Sequence, residues 1–262
     1  MHTWFTNFSK MHESAGRDKD VMHSNSKWHE AQQAEHECWA GFAANDELIS
    51  QTLAYNQELA ARLRTLLPAH SQTALELGIG SLGVGVIGFL PELSVRIGLD
   101  PLPPLHLDCS ATLRERVQAL RETVRYLNGA AESIPLEDES VDLAICCNAL
   151  DHVRDTNAVL TEVRRVVRPG GALFLEVDTF SITGLLKWHF WTKHRHAGEI
   201  LVRAHPYRFR EANVFSLLKI HGFEIALTDG HSWLSGIVGR SHPSLFWALR
   251  RSDLSSQAKA MP

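Results

Sequence analysis

The stretch "ALELGIGSLGVG", from Ala74 to Gly85, limits the architectures open to this chain more than any other part of it. An apolar run carrying one acid, Glu76, breaks into Gly78, Gly80, Gly83 and Gly85. A buried strand that ends in glycines strips away side chains, so backbone N–H groups can approach a ligand closely. The spacing of Gly78, Gly80 and Gly83 fits the dinucleotide fingerprint G-x-G-x-x-G. Glu76, two residues before the first glycine, is an awkward neighbour for a pyrophosphate and suits a ligand with positive charge nearby. Asp100 lies twenty residues after Gly80, at the end of the next apolar run "SVRIGLD". A carboxylate there can accept hydrogen bonds from both hydroxyls of a ribose, which serves NAD and other adenosine cofactors alike.

The rest of the core alternates in a way that suits that loop. "TALELG", "SVRIGLD", "RYLNG", "VDLAICC", "ALFLEVD", "HGFEIALTD" and "SLFWALRR" read as strands. The glycines are expected to open a helix. "TLRERVQALRETV", "DTNAVLTEVRRVV" and "REANVFSLL" read as helices, the second with Val159, Leu160, Val163, Val166 and Val167 on one face. "RPGG" is expected to turn the chain into the fifth strand. Strand and helix in alternation predict an α/β fold: a Rossmann-like, doubly wound, mostly parallel seven-stranded sheet. Residues 28–70 are expected to form a helical cap ahead of a core at 71–251. Asn45 caps its helix, Asp46 and Glu47 suit the helix dipole, and Pro68 ends it. Residues 180–209 interrupt the alternation after the fifth strand and are read as a lid over the acceptor. Residues 1–27 are read as a loose arm and 252–262 as a frayed tail.

Bulk properties narrow the function classes. The chain has 262 residues with a formal net charge of -4, so no basic excess points to nucleic acid. The longest apolar stretches fall short of the roughly 20 residues of a membrane helix, and the first twenty residues lack the apolar core of a signal peptide. Cys38, Cys109, Cys146 and Cys147 form no C-x-x-C pair, and reduced, packed thiols fit a cytoplasmic setting. The 15 histidines include the cluster His189, His194 and His196. No carboxylate or cysteine completes a metal-ligand spacing with them, so no metal is expected.

Further along, "NGAAESIPLEDESVDLAICCNALDHV" is followed by "LTEVRRVVRPGGALFLEV". These segments resemble the class I S-adenosylmethionine-dependent methyltransferases, especially the small-molecule branch of ubiquinone/menaquinone-methylase type. Gly129–Pro135 stands for that branch's glycine–acid–alanine–glutamate–Leu-Pro pattern, Leu150–Val153 for Leu-His-His-Val, and Arg168–Gly171 for the Lys-Pro-Gly-Gly turn. The resemblance covers roughly residues 72–230, with the motifs in order. It implies S-adenosyl-L-methionine as methyl donor and S-adenosyl-L-homocysteine as product. Glu76 and the backbone of Gly78 and Gly80 would face the methionine part, Asp100 the ribose, and Ala131 and Glu132 the adenine. Asn148 would line the methionine end. Two positions depart from the pattern: Leu82 stands where a third glycine is frequent, and Ala130 replaces the acid that often meets the adenine amine.

Methyl transfer to a hydroxyl calls for a general base. His152, just beyond the fourth strand, and His205 in "RAHPYRF" are the candidates, with Asp151 a competing base and Tyr207 a further acceptor contact. Oxygen is the first-choice acceptor atom on base rates, with carbon and nitrogen open. Trp188, Phe190 and Trp191 lie beside Lys187, Lys193 and Arg195. They would cover a hydrophobic, lipid-linked or glycan acceptor, rest on a membrane surface, or pack on the N-terminal helices. Two rival functions are weighed: a non-catalytic binding or scaffold subunit on the same fold, and an NAD-dependent oxidoreductase. The latter lacks a Tyr-x-x-x-Lys or similar group after the fifth strand.

Overall fold

The computed structural model describes residues 32–34, 36–37, 39, 41–194, 207–229 and 242–251. The first long helix, α1, spans Asp46–Arg64. Asn45 caps it, its side chain accepting from the Leu48 N–H at 3.1 Å. The helix ends at Arg64, not at Pro68: Thr65 closes it, its N–H and hydroxyl both bonding to the Arg62 carbonyl. Residues 32–34, 36–37, 39 and 41–42, ahead of α1, are helical as expected.

Seven strands follow: β1 Thr73–Leu77, β2 Val95–Asp100, β3 Arg125–Asn128, β4 Val141–Cys147, β5 Val167–Thr179, β6 Phe223–Thr228 and β7 His242–Arg250. Among the described residues, four further helices lie between them: α2 Ala111–Arg121, α3 Thr156–Val166, α4 Ile182–His194 and α5 Glu211–Ile220. The strands form one sheet in the order β3-β2-β1-β4-β5-β7-β6. Neighbouring pairs from β3 through β5 are parallel; β7 runs antiparallel between β5 and β6. This is the Rossmann-like, mostly parallel seven-stranded sheet expected of the sequence.

Alternate side chains point to opposite faces of the sheet and divide the core in two. Leu75, Leu77, Ala144, Cys146, Leu173 and Leu175 point to the layer shared with α3 and α5. Ala74, Leu143, Ile145, Ala172 and Phe174 point to the layer of Leu59, Ala60 and Leu63 from α1. Strands covered on both faces are apolar throughout, which is why they read as unbroken runs.

Three local expectations change. The glycines do not open an α-helix; residues 78–90 are turns closed by a 3-10 segment, Ile87–Phe89. Gly78, Gly80, Gly83 and Gly85 all have φ between 58° and 76°, outside helical backbone. "RPGG" does not precede the fifth strand but lies inside it, since β5 begins at Val167 as α3 ends. The irregularity appears as a register shift against β4 between Val141 and Leu143. The segment after β5 contains α4, with Ile182, Leu186 and Phe190 exposed on it at successive helical turns.

Candidate active site

The chain runs outward from β1 to β3, then returns to lay β4 on the other side of β1. At such a switch point the loops diverge, and the crevice beyond the strand ends is the natural ligand site of an open α/β sheet. An open cleft lies there. Leu77 of β1, Asp100 of β2, Gly129 after β3 and Cys146 of β4 contribute to it, with Trp39 and Gln32 from the N-terminal segment.

Gly78 and Gly80 form its floor. A Cβ on Gly78 would sit 2.3 Å from the Ala149 Cβ, so the loops after β1 and β4 touch only because that side chain is missing. Asp100 is buried and holds both sides of the entrance. Its Oδ2 accepts from the Gly80 N–H and its Oδ1 from the Leu102 N–H, each at 2.9 Å. From β3, the Tyr126 hydroxyl donates to the Asp100 and Leu102 carbonyls, and the Asn128 amide to the Pro101 carbonyl. Neither side chain stands out in the sequence, because nothing local says that β3 buttresses the turn after β2.

Glu76 is placed differently from the expectation. It is buried beneath the glycine turns and is not among the residues lining the cleft. Its two oxygens accept from the Val86 and Ile87 N–H groups at 3.0 and 2.7 Å. Burial pushes its carboxyl up to about 7, and the two N–H groups work against that rise. Gly85 completes the arrangement: a Cβ there would lie 2.3 Å from Glu76 Oε2.

Leu82, the first departure, is buried among Leu53, Val84, Leu113 and Val117, while its carbonyl accepts from Arg121 Nε at 2.7 Å. A side chain at this position therefore ties the glycine turns to α1 and α2. Ala130, the second departure, lines the cleft beside Ala131 and Glu132. The Glu132 side chain turns to the loop after β4, accepting from the Arg154 and Asp155 N–H groups at 2.6 and 3.2 Å. Behind this wall, Arg165 of α3 donates to the Ile134 and Leu136 carbonyls and forks onto Glu162.

Asn148 lines the cleft at the end of β4, with a left-handed φ of 49°. Its N–H donates to the Glu176 carbonyl at 3.0 Å. His152 is half-buried at the cleft edge, its Nε2 3.8 Å from Asp151 Oδ2. That is too far for a hydrogen bond. The Tyr207 N–H donates to the Asp151 carbonyl, and its hydroxyl to the Arg154 carbonyl, so Tyr207 braces the loop carrying His152. His205 lies outside the described residues, as do His196 and Arg195. Among the described residues no three histidine, cysteine or acidic side chains gather as a metal site would need. No helix among them is long and apolar enough to cross a membrane.

A seven-stranded sheet in this order, with a glycine floor and an acid ending β2, is the class I S-adenosylmethionine-dependent methyltransferase fold. Residues 79–175 match the methyltransferase domain family model. The uncharacterised methyltransferase YcgJ of Bacillus subtilis is 29% identical over 142 residues, covering 53% of this chain and 54% of that protein. An uncharacterised methyltransferase of Mycobacterium tuberculosis, Rv3342, is 41% identical over 119 residues, covering 44% and 43%. The chain thus spans about half the length of the curated relatives it matches. A solved structure of phosphoethanolamine N-methyltransferase 2 from Haemonchus contortus, in complex with S-adenosylhomocysteine, superposes with a TM-score of 0.55 at 16% identity. It covers 76% of this chain and 53% of that one.

Proposed function

We propose that this chain is an S-adenosylmethionine-dependent methyltransferase acting on a small molecule. The observation that supports it best is the Asp100 carboxylate at the switch point, braced by Gly80 on one side and Leu102 on the other. Each oxygen accepts from a backbone N–H, and a carboxylate oxygen can accept from more than one donor, as a ribose hydroxyl would require. The apolar side chains of Pro101, Leu102, Ala130 and Ala131 make walls suited to an adenine, and the bare Gly78–Gly80 floor and Asn148 leave room for a methionine chain. When bound, the donor supplies a methyl group on a sulfonium, which already carries its leaving group. The chain's own part is to align the acceptor and exclude water.

His152 is the described side chain best placed to take a proton from an acceptor hydroxyl, with Asp151 beside it. His205 shares that proposal on sequence grounds alone. Oxygen leads as acceptor, with carbon and nitrogen open. Sulfur joins them because human relatives at 29% and 34% identity are named thiol S-methyltransferases. The exposed Ile182, Leu186 and Phe190 of α4 support a hydrophobic acceptor or a contact with a membrane surface. The buried or half-buried free thiols Cys109, Cys146 and Cys147 fit a reducing, cytoplasmic setting.

Calorimetric titration with S-adenosylmethionine, S-adenosylhomocysteine and NAD tests the donor. Micromolar binding of the first two and none of NAD is expected. NAD binding alone would overturn the proposal. Cofactor binding with no turnover across hydroxyl, amine, thiol and activated-carbon acceptors would favour a binding subunit.

A further inference from the structure

One buried acid behind the cleft plays no part in that proposal. Glu176, on β5, is 3% exposed and packs on the α1 side of the sheet, beside Cys147 of β4. Its Oε1 accepts from the hydroxyl of Tyr55, which α1 carries inward from 121 residues earlier. Its Oε2 is buried with no hydrogen-bond partner among the described residues. The Asn148 side chain lies beside the same Tyr55 hydroxyl, while the Asn148 backbone is fastened to the Glu176 carbonyl. Three elements thus meet at one phenol, and only Asn148 reaches the cleft.

We propose that Glu176 is a positioning residue which, through Tyr55, sets the amide of Asn148 with its oxygen toward the cleft. The inference rests on the cleft accepting S-adenosylmethionine, and it names the group that receives the ammonium of its methionine part.

The argument is one of donor and acceptor counting. A tyrosine hydroxyl has one proton and two lone pairs. When Glu176 is ionised it can only accept, so the Tyr55 proton must point to it. The lone pairs of Tyr55 are then left for the Asn148 NH₂, which turns Asn148 Oδ1 outward as an acceptor for a cation. When Glu176 is protonated it can donate to Tyr55, and the phenol proton is released toward Asn148. The amide then reverses and presents NH₂ to the cleft, where a cation is repelled. Glu76, buried under the glycine turns, leaves the ammonium to this oxygen.

The groups facing Glu176 are Tyr55 and Arg62 of α1, Cys147 of β4, Asp178 of β5 and Asp229 after β6. Burial pushes the Glu176 carboxyl up to about 7; Asp178 and Asp229 add to the rise, and Tyr55 and Arg62 oppose it. Ligand binding should draw a proton off Glu176, so affinity falls as pH drops through 7.

The test is titration of the full chain with S-adenosylhomocysteine at pH 8.0 and 6.0. The wild type should bind roughly tenfold more weakly at pH 6.0, as one proton competing near pH 7 requires. In Glu176→Gln that ratio should shrink at least about threefold, leaving whatever Glu76 contributes. Tyr55→Phe keeps the packing and removes the hydroxyl; it should lose affinity about fivefold at pH 8.0, a typical net hydrogen bond, and lose the ratio too. Melting curves identify a variant that is merely unfolded. A wild-type ratio retained in a folded Glu176→Gln or Tyr55→Phe overturns this inference and leaves the cofactor reading standing. No binding by the wild type at either pH overturns both.

Discussion

Asp100 meets two backbone N–H groups on opposite lips of one cleft, so its removal would free both at once. Asp100→Ala should weaken S-adenosylhomocysteine binding at least about tenfold, since two charge-assisted hydrogen bonds and the proposed ribose contact go together. Unchanged affinity by calorimetry would place the ribose elsewhere. Asp100 was readable from spacing, because a fixed distance from the glycines and a strand end are both local facts. Glu76 was readable as a lone acid ahead of the glycines, but its burial beneath them was not. Only the fold shows Val86 and Ile87 curling back over it, ten and eleven residues later. Glu176 carried a similar signal, a lone acid in the apolar run "FLEV". Its partner Tyr55 sits 121 residues away on a different element, and no sequence pattern joins them.

At the scale of elements, the strands were legible because two-sided burial leaves apolar runs with turn residues around them. The helix α3 was legible from its stripe, and Asp155 caps it, accepting from the Asn157 and Ala158 N–H groups. The glycine segment was misjudged because the same letters serve a helix N-terminus in other folds, and backbone sign is not written in the sequence. The helix α4 went unassigned because the apolar and aromatic residues of "ITGLLKWHFW" also suit a lid without regular structure. Asn45 offers a clean check on the cap. Asn45→Ala should cost about 1 kcal/mol, the usual loss for an N-cap oxygen. That should lower Tm by about 2–4 °C in a scanning melt of a chain this size. A smaller change would mean that Asp46, which accepts from the Ser110 N–H, already holds the start of α1.

The whole molecule carries an unusual pH response. Glu76 and Glu176 both have carboxyls raised by burial to about 7. Between the ordinary carboxylate range and pH 7 these two groups therefore hold more protons in the folded chain than in the unfolded one. Stability from these two groups is full at the acidic end of that window and is lost as pH rises through 7. His221 works the other way, since burial lowers its pKa. Comparing wild type with Glu176→Gln isolates the carboxylate. The Tm difference between pH 5.5 and pH 8.0 should be more favourable to the acidic side in the wild type than in the variant. Equal differences in a thermal melt would show that Glu176 titrates normally in the fold.

The sheet order has a further consequence for how the chain is made. β6 is synthesised before β7, yet β7 is its strand neighbour and separates it from β5. Twenty-two residues separate the end of β6 at Thr228 from the end of β7 at Arg250. At a ribosomal pace of 5–20 residues per second that is a wait of about 1 to 4 s. Throughout it, β5 presents an open edge and β6 has nothing to join. The antiparallel insertion that completes the sheet is thus also the window in which a nascent chain is most exposed to pairing with the wrong strand.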